Sequence, residues 1–390
     1  MNFINSLKDI YKDRRLLVTI LFFCFTLYST IKPYGIYIVV IFSFYILSLP
    51  TKNKYITKTL LFLLCFSVLY FFMLYVNGKV NSGFNHISYL ICPILFYVLG
   101  EWTFDKTKTP YTLDNILLLL FFSFSLILYI STISNIFKIG FVNPLRIIPL
   151  PNNEQGLAST LYALNTCFGL IGLSVYLNKK KTDIQSILFL LLFILSTIVN
   201  IHVVNRTSLV VSILLLMIYF VYAFRNKTNK ISILLSFGVI LLLLTLIMYS
   251  YTNSFNEVLA AYENRQEQDT AGIRFKMWTY AINHIFIEPF GFEYNNTEIQ
   301  HMHNLWFDVA RLTGIAPFTF LLIATIRSIH SSYRIYKYDY NCHFLVIVMS
   351  NATFIMSSMV EPVMEGFPVL FYIGCFIWGL QDRLLGSNKV

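Results

Sequence analysis

Apolar residues in this chain come in long unbroken runs, not in the alternation of a half-exposed strand or the narrow stripe of a soluble helix. Roughly 20 mostly apolar residues suffice to cross a bilayer as a helix. Twelve runs approach or meet that length, at 15–31, 34–50, 58–76, 86–100, 114–137, 157–177, 184–203, 206–224, 231–250, 305–326, 342–358 and 367–381. Backbone groups find no water in hydrocarbon, so each run is predicted to be helical. The dyad pattern of a membrane barrel is absent, since Ile116–Leu120 is continuously apolar. The predicted fold class is an all-α polytopic membrane protein with about 12 transmembrane helices, one integral membrane domain over 1–390. The first run follows a basic segment and lacks a small-residue cleavage site, so it is expected to be a retained span and not a signal peptide.

The polar connections set the orientation. With the N-terminus inside, the inner segments hold 20 of the 29 Lys and Arg residues, and every inner segment has at least two. That bias predicts cytoplasmic termini and an even number of spans. One connection is far longer than the others. Residues 251–304 form an outer loop of 54 residues with seven acids, three bases and three of the seven histidines. Connections beyond about 15 residues are usually functional or disordered. Here Ile273, Met277, Trp278, Ala281 and Ile285 share one helical face, and Pro289 and Gly291 follow as a stop signal. An amphipathic helix near the outer membrane surface is predicted. A second outer loop, 138–156, carries Pro144, Pro149 and Pro151.

Composition agrees with the pattern. The 390 residues are 57% hydrophobic and only 12% charged, with mean hydropathy +0.66. A soluble domain carries about 25% charged residues. An ordinary soluble enzyme, a disordered chain and a secreted disulfide scaffold are thereby excluded. The net charge of +10 is mostly explained by the inner-segment bias, and no nucleic-acid partner is implied. The six cysteines lie in or beside apolar runs without CxxC spacing, as small buried hydrophobes do.

A few polar residues stand where chemistry could occur. Arg206 lies in Asn205-Arg206-Thr207-Ser208, at the outer end of the eighth span. A cation so close to hydrocarbon is a functional candidate, and snorkelling to the interface is the plain alternative. Arg274 stands one turn before Trp278, on the face it shares, or simply on the polar edge of the amphipathic helix. His301 and His303 lead into the tenth span. An imidazole suits general-base work near neutral pH, while an ordinary interfacial histidine is the bland reading. On a helix, two positions would turn His301 away from His303. No HExxH, CxxC or Asp-x-Asp is present, so no metal or other cofactor is expected. Glu361 and Glu365, in the outer turn before the last span, read first as solvated loop carboxylates and second as partners of a histidine or arginine. Asp308 and Arg311, three apart, are expected to pair with each other.

In order along the chain, Arg206, Gly272, Arg274, Trp278, Pro289, Gly291, His303, Asn304 and Gly314 form a constellation: an outer Arg, Gly-x-Arg-x3-Trp, Pro-x-Gly, then His-Asn-x9-Gly entering a span. It resembles the O-antigen polymerase and O-antigen ligase superfamily of bacterial envelope glycosyltransferases. The motifs cover about residues 200–325; before them only the layout is similar. The resemblance implies a GT-C-like, metal-independent glycosyltransferase in the bacterial inner membrane, acting at the periplasmic face. The donor it implies is an oligosaccharide on undecaprenyl pyrophosphate, with a flippase and a chain-length regulator as associated partners. Arg206 and Arg274 would hold the pyrophosphate, and His303 would be the base on the acceptor hydroxyl. Trp278, Asn304, His301, Glu361 and Glu365 are supporting candidates. The chain departs from the family in having Asn205 where serine is common, and Arg311-Leu312-Thr313 where an acid often precedes the glycine; Glu361 or Glu365 could substitute. Polymerase is the leading expectation for surface polysaccharide synthesis. Transfer of finished glycan to lipid A–core by a ligase is the alternative, and a lipid-linked oligosaccharide flippase or transporter a third reading.

Overall fold

The computed structural model describes residues 57–79, 83–103, 112–141, 143, 147–150, 153–158, 167–178, 184–225, 260–261, 270–294, 301–338, 342–366 and 368–387. The helices are α1 (Lys58–Val76), α2 (Gly83–Thr103), α3 (Thr112–Ile139), α4 (Ile171–Asn178), α5 (Ile184–His202), α6 (Arg206–Arg225), α7 (Thr270–His284), α8 (Leu305–Thr313), α9 (Ile315–Tyr338), α10 (Cys342–Val360), the single turn α11 (Val363–Gly366) and α12 (Pro368–Ser387). A 3-10 turn, Phe168–Leu170, leads into α4. Strands β1 (Ile147–Leu150) and β2 (Asn153–Ala158) pair antiparallel, Ile147 opposite Ala158 and Leu150 opposite Asn153.

Four of the described helices are long and apolar enough to cross a membrane: Lys58–Val76, Arg206–Arg225, Ile315–Lys337 and Pro368–Gly386. The protein is a helical membrane protein at this level of description. In α1 the apolar character runs all round. Leu63, Phe66, Tyr70 and Leu74 are buried, while Leu61, Leu64, Val68 and Phe72 are exposed on the opposite side. An exposed apolar face on a helix that is also apolar inside is what lipid, and not water, solvates.

Several predicted runs coincide with helices, and two differ. The run at 157–177 is not one helix, because Leu157 and Ala158 belong to β2 and the described helical turns begin only at Cys167. The run at 305–326 is cut into α8 and α9 by Gly314, whose φ of +87° no side-chain-bearing residue adopts comfortably. The runs at 15–31, 34–50 and 231–250 lie outside the described residues, as do the parts of the long loop over 251–259, 262–269 and 295–300.

The chain divides into two compact units. Unit 1 comprises residues 1–116, 270–339 and 350–390. At its centre is α12, of whose spanning window 78% is buried. It meets α2 backbone to backbone at two glycines. A Cβ on Gly100 would sit 2.1 Å from the Phe376 carbonyl oxygen, and one on Gly379 would sit 2.0 Å from that of Tyr97. Small residues at such crossings let backbones approach, which is how helices gain packing energy where lipid removes the hydrophobic drive. Beside this crossing a set of buried and half-buried polar side chains pairs internally: Trp378 Nε1 donates to Asn351 Oδ1 at 2.9 Å, and Asn351 Nδ2 to Ser332 Oγ at 2.8 Å.

Unit 2 comprises residues 117–269 and 340–349. The α4 helix packs on α5 and α6. Phe121 stacks on Phe168 at a centroid distance of 5.0 Å. Buried His202 is satisfied on both ring nitrogens, with Asn135 Nδ2 at 3.0 Å and the Phe141 carbonyl at 2.7 Å.

Candidate functional site

Unit 1 gathers most of the candidate residues. The first organising element is α7. Its Met277 and Ala281 are buried, with Ile285 just beyond its end and Phe292, Met302 and Ala310 in the same cluster, and Ile273 and Trp278 packed against it. The amphipathic helix foreseen from periodicity is therefore present, and it faces protein. After α7 the chain turns through residues 285–291 and meets the α8–α9 break backbone to backbone. Phe292 N donates to the Arg311 carbonyl at 3.0 Å, and Ile315 N to that of Pro289 at 2.9 Å. A Cβ on Gly314 would fall 2.1 Å from the Pro289 oxygen. Asn77, just past α1, donates through Nδ2 to the carbonyls of Phe290 (2.7 Å) and Leu312 (2.8 Å). Lys79 reaches the Arg311 carbonyl at 3.4 Å, and burial followed by the Arg311 charge draws its pKa down.

The nine residues between Asn304 and Gly314 are α8. Asn304 Oδ1 accepts from Trp306 N and Phe307 N at 3.1 and 3.2 Å, capping the helix start, and Gly314 N donates to the Ala310 carbonyl at 2.8 Å at its end. Ahead of the cap the chain is not helical. Met302 is buried with both sides of its backbone held: its carbonyl accepts from Trp278 Nε1 at 3.0 Å, and its N–H donates to Asp308 Oδ1 at 2.8 Å. His303 takes a positive φ of +49°. The separation of His301 from His303 thus comes from an irregular segment pinned at Met302, and not from a helical turn.

Each histidine meets a different glutamate. His303 Nδ1 lies 3.7 Å from Glu361 Oε2, and Arg274 lies 3.9 Å from Glu361 Oε1. Both are contacts across a gap longer than a hydrogen bond, and His303 Nδ1 has no hydrogen-bond partner among the described residues. His301 Nδ1 and Glu365 Oε2 are 2.6 Å apart, and Arg311 NH2 donates to both Glu365 oxygens at 2.6 and 2.7 Å. The first reading of Glu361 and Glu365 as solvated loop carboxylates is overturned. Their side chains are only 8% and 20% exposed, because the turn carrying α11 folds onto α8 and α12. The expected Asp308–Arg311 pair exists only as a 4.0 Å contact, since Arg311 is taken up by Glu365 and Asp308 Oδ1 by the Met302 backbone.

The electrostatics follow from this packing. The Glu365 hydrogen bond raises the pKa of His301 against the opposing effect of burial. Burial works against the Glu365 carboxylate, yet the His301 hydrogen bond and the Arg311 charge together hold its pKa below the usual range. Asp308 is wholly buried, and burial with the nearby Glu365 charge pushes its pKa to about 7. Its Oδ2 has no hydrogen-bond partner among the described residues. Nor do the described residues contain a group of three or more His, Cys, Asp and Glu arranged to hold a metal ion.

Arg206 belongs to unit 2, at the first position of α6 and partly exposed. Its position is fixed by Asn205, whose Oδ1 accepts from Thr207 N at 3.0 Å and whose carbonyl accepts from Ser208 Oγ at 2.7 Å. Sequence reasoning missed Asn77 and Lys79. Both stand just beyond a span among ordinary loop residues, and only their distant carbonyl partners distinguish them. Comparison of the chain with protein-family models and with curated proteins returns no match.

Proposed function

We propose that this protein is a polymerase of O-antigen or a related surface polysaccharide. It joins undecaprenyl-pyrophosphate-linked repeat units at the periplasmic face of a bacterial inner membrane, as a metal-independent glycosyltransferase on a GT-C-like scaffold of about twelve spans. One observation carries the reading: Arg274 and His303, 29 positions apart in the chain, both lie within 4 Å of the buried Glu361 carboxylate. A phosphate-binding cation and a base are the two functions that transfer from a lipid pyrophosphate demands, and here they adjoin one carboxylate that can orient both.

In this mechanism an acceptor hydroxyl attacks the anomeric carbon of the donor. The new glycosidic C–O bond forms as the bond to the pyrophosphate oxygen breaks, and the electron pair leaves with the pyrophosphate. The hydroxyl proton passes to His303. Arg274 offers a planar fork of donors to the leaving phosphate oxygens. Arg206 has the same role by its place in the sequence pattern alone.

The test is reconstitution of the purified protein with a defined undecaprenyl-pyrophosphate repeat unit in the presence of EDTA, with products resolved on a gel. A ladder is expected. Transfer only to added lipid A–core would replace polymerase with ligase. Lipid movement across the bilayer without any transfer would replace both with a flippase. Activity abolished by EDTA and restored by Mg²⁺ would overturn the arginine-clamp account.

A further inference from the structure

The far end of α9 carries a second polar feature, unconnected with the one at its start. Arg334 is 20 positions beyond Gly314, about 30 Å along the helix axis. Here a cavity of about 420 Å³ opens between α9, α12 and the start of α1, lined by Thr57, Arg327, His330, Ser331, Arg334 and Asp382 together with apolar Ile326 and Leu385. Pockets of this volume suit small ligands.

The one carboxylate among the described lining residues is already engaged: Asp382 accepts from Tyr97 Oη at 2.6 Å and from Ser331 Oγ at 3.3 Å. Among the described residues Arg327 makes one long contact, Nε to Thr59 Oγ1 at 3.4 Å, which leaves most of its donors uncommitted there. Arg334 and His330 have no ion-pair or hydrogen-bond partner among the described residues. Two guanidinium groups against one occupied carboxylate leave an excess of positive charge facing the cavity. Arginines at a span end also snorkel without any specific ligand. What departs from that here is the concave site, with donors converging from one face of α9.

The surroundings say what kind of anion fits. Ile326, Ile329 and Tyr333 are 56%, 47% and 59% exposed and follow the i, i+3, i+7 spacing of one face. They form an apolar stripe on a helix of membrane-crossing length, running alongside the cavity. A phosphate group in the cavity with hydrocarbon along this stripe satisfies both surfaces at once. We propose that this cavity binds a phosphate-bearing anion, held by Arg327 and Arg334, and that the anion is the headgroup of an anionic phospholipid. The inference does not rest on the glycosyltransferase reading.

The experiment is thermal unfolding of the full chain in detergent, titrated with phosphatidylglycerol, with zwitterionic phosphatidylcholine or with inorganic phosphate, and native mass spectrometry of the same samples. Phosphatidylglycerol should raise Tm in a dose-dependent way and remain bound, as any ligand of the folded state does. Phosphatidylcholine should do neither. Arg327→Gln and Arg334→Gln should each weaken the apparent affinity about tenfold, the loss of one charged hydrogen-bonding partner. A Tm rise with inorganic phosphate that is equally sensitive to these substitutions would keep the phosphate site and assign it a soluble ligand. An equal response to phosphatidylcholine, or an undiminished phosphatidylglycerol response in both variants, would overturn the proposal. Should either variant fail to fold, displacement of bound phosphatidylglycerol from the wild type by increasing NaCl, with phosphatidylcholine unaffected, provides the same test; salt-insensitive retention would overturn it.

Discussion

At the scale of single residues, the two histidines are separated by their partners. His303, beside Glu361 and Arg274, is the proposed base. His303→Ala should lower turnover about 10²–10⁴-fold while donor binding persists, because a base acts only as the bond forms. Steady-state kinetics with a direct donor-binding assay would decide; parallel loss of binding and rate would make His303 a binding or folding residue. His301 is held by Glu365 and bears instead on stability. Its pKa is raised, so the stabilisation is whole below its ordinary value of 6.5 and fades as pH climbs through the raised value. The pKa of Glu365 is lowered, so its share is whole above 4.5 and fades as pH falls through the depressed value. The Tm difference between wild type and His301→Gln should therefore be greatest between about pH 4.5 and 6.5 and shrink on the alkaline side. A difference that grows with pH would contradict the pair.

At the scale of elements, the spacing of His-Asn-x9-Gly has a plain physical content. Nine residues make the short helix α8, with an asparagine cap at one end and a glycine at the other. Pro-x-Gly is the turn whose backbone meets that second end. Gly314→Ala should consequently cost at least about 3 kcal/mol, since it combines a strained φ with a collision against the Pro289 carbonyl. Gly386→Ala, with nothing within 4 Å of the added carbon, should fall within about 0.5 kcal/mol of wild type. Reversible unfolding of the purified variants in detergent measures both, and equal stability of the two would remove the structural meaning of the motif. The α7 face and α1 could be anticipated because continuous or periodic apolarity fixes them locally. The division of 305–326 could not, because hydropathy does not register a single left-handed residue in an apolar stretch. Nor could the burial of Glu361 and Glu365, since a short connection between two spans looks the same whether it faces water or folds back over a helix.

At the scale of the whole molecule, the distribution of Lys and Arg predicts that reporter fusions at Lys180, Asn226 and Tyr336 read cytoplasmic and a fusion at Glu267 periplasmic. A cytoplasmic signal at Glu267 would move α7 and the His303 segment to the wrong face for a lipid-linked donor presented in the periplasm, and the proposed function would go with it. Within unit 1, the glycine crossing of α2 and α12 joins segments that are far apart in the chain. The ribosome emits α12 roughly 260 residues after α2, and at about 5–20 residues per second α2 waits on the order of tens of seconds for its partner. During that interval the groove beside Gly100 is filled only by lipid or by whatever attends insertion, so a slow step in translation downstream of α2 prolongs the one period in which this unit has no centre.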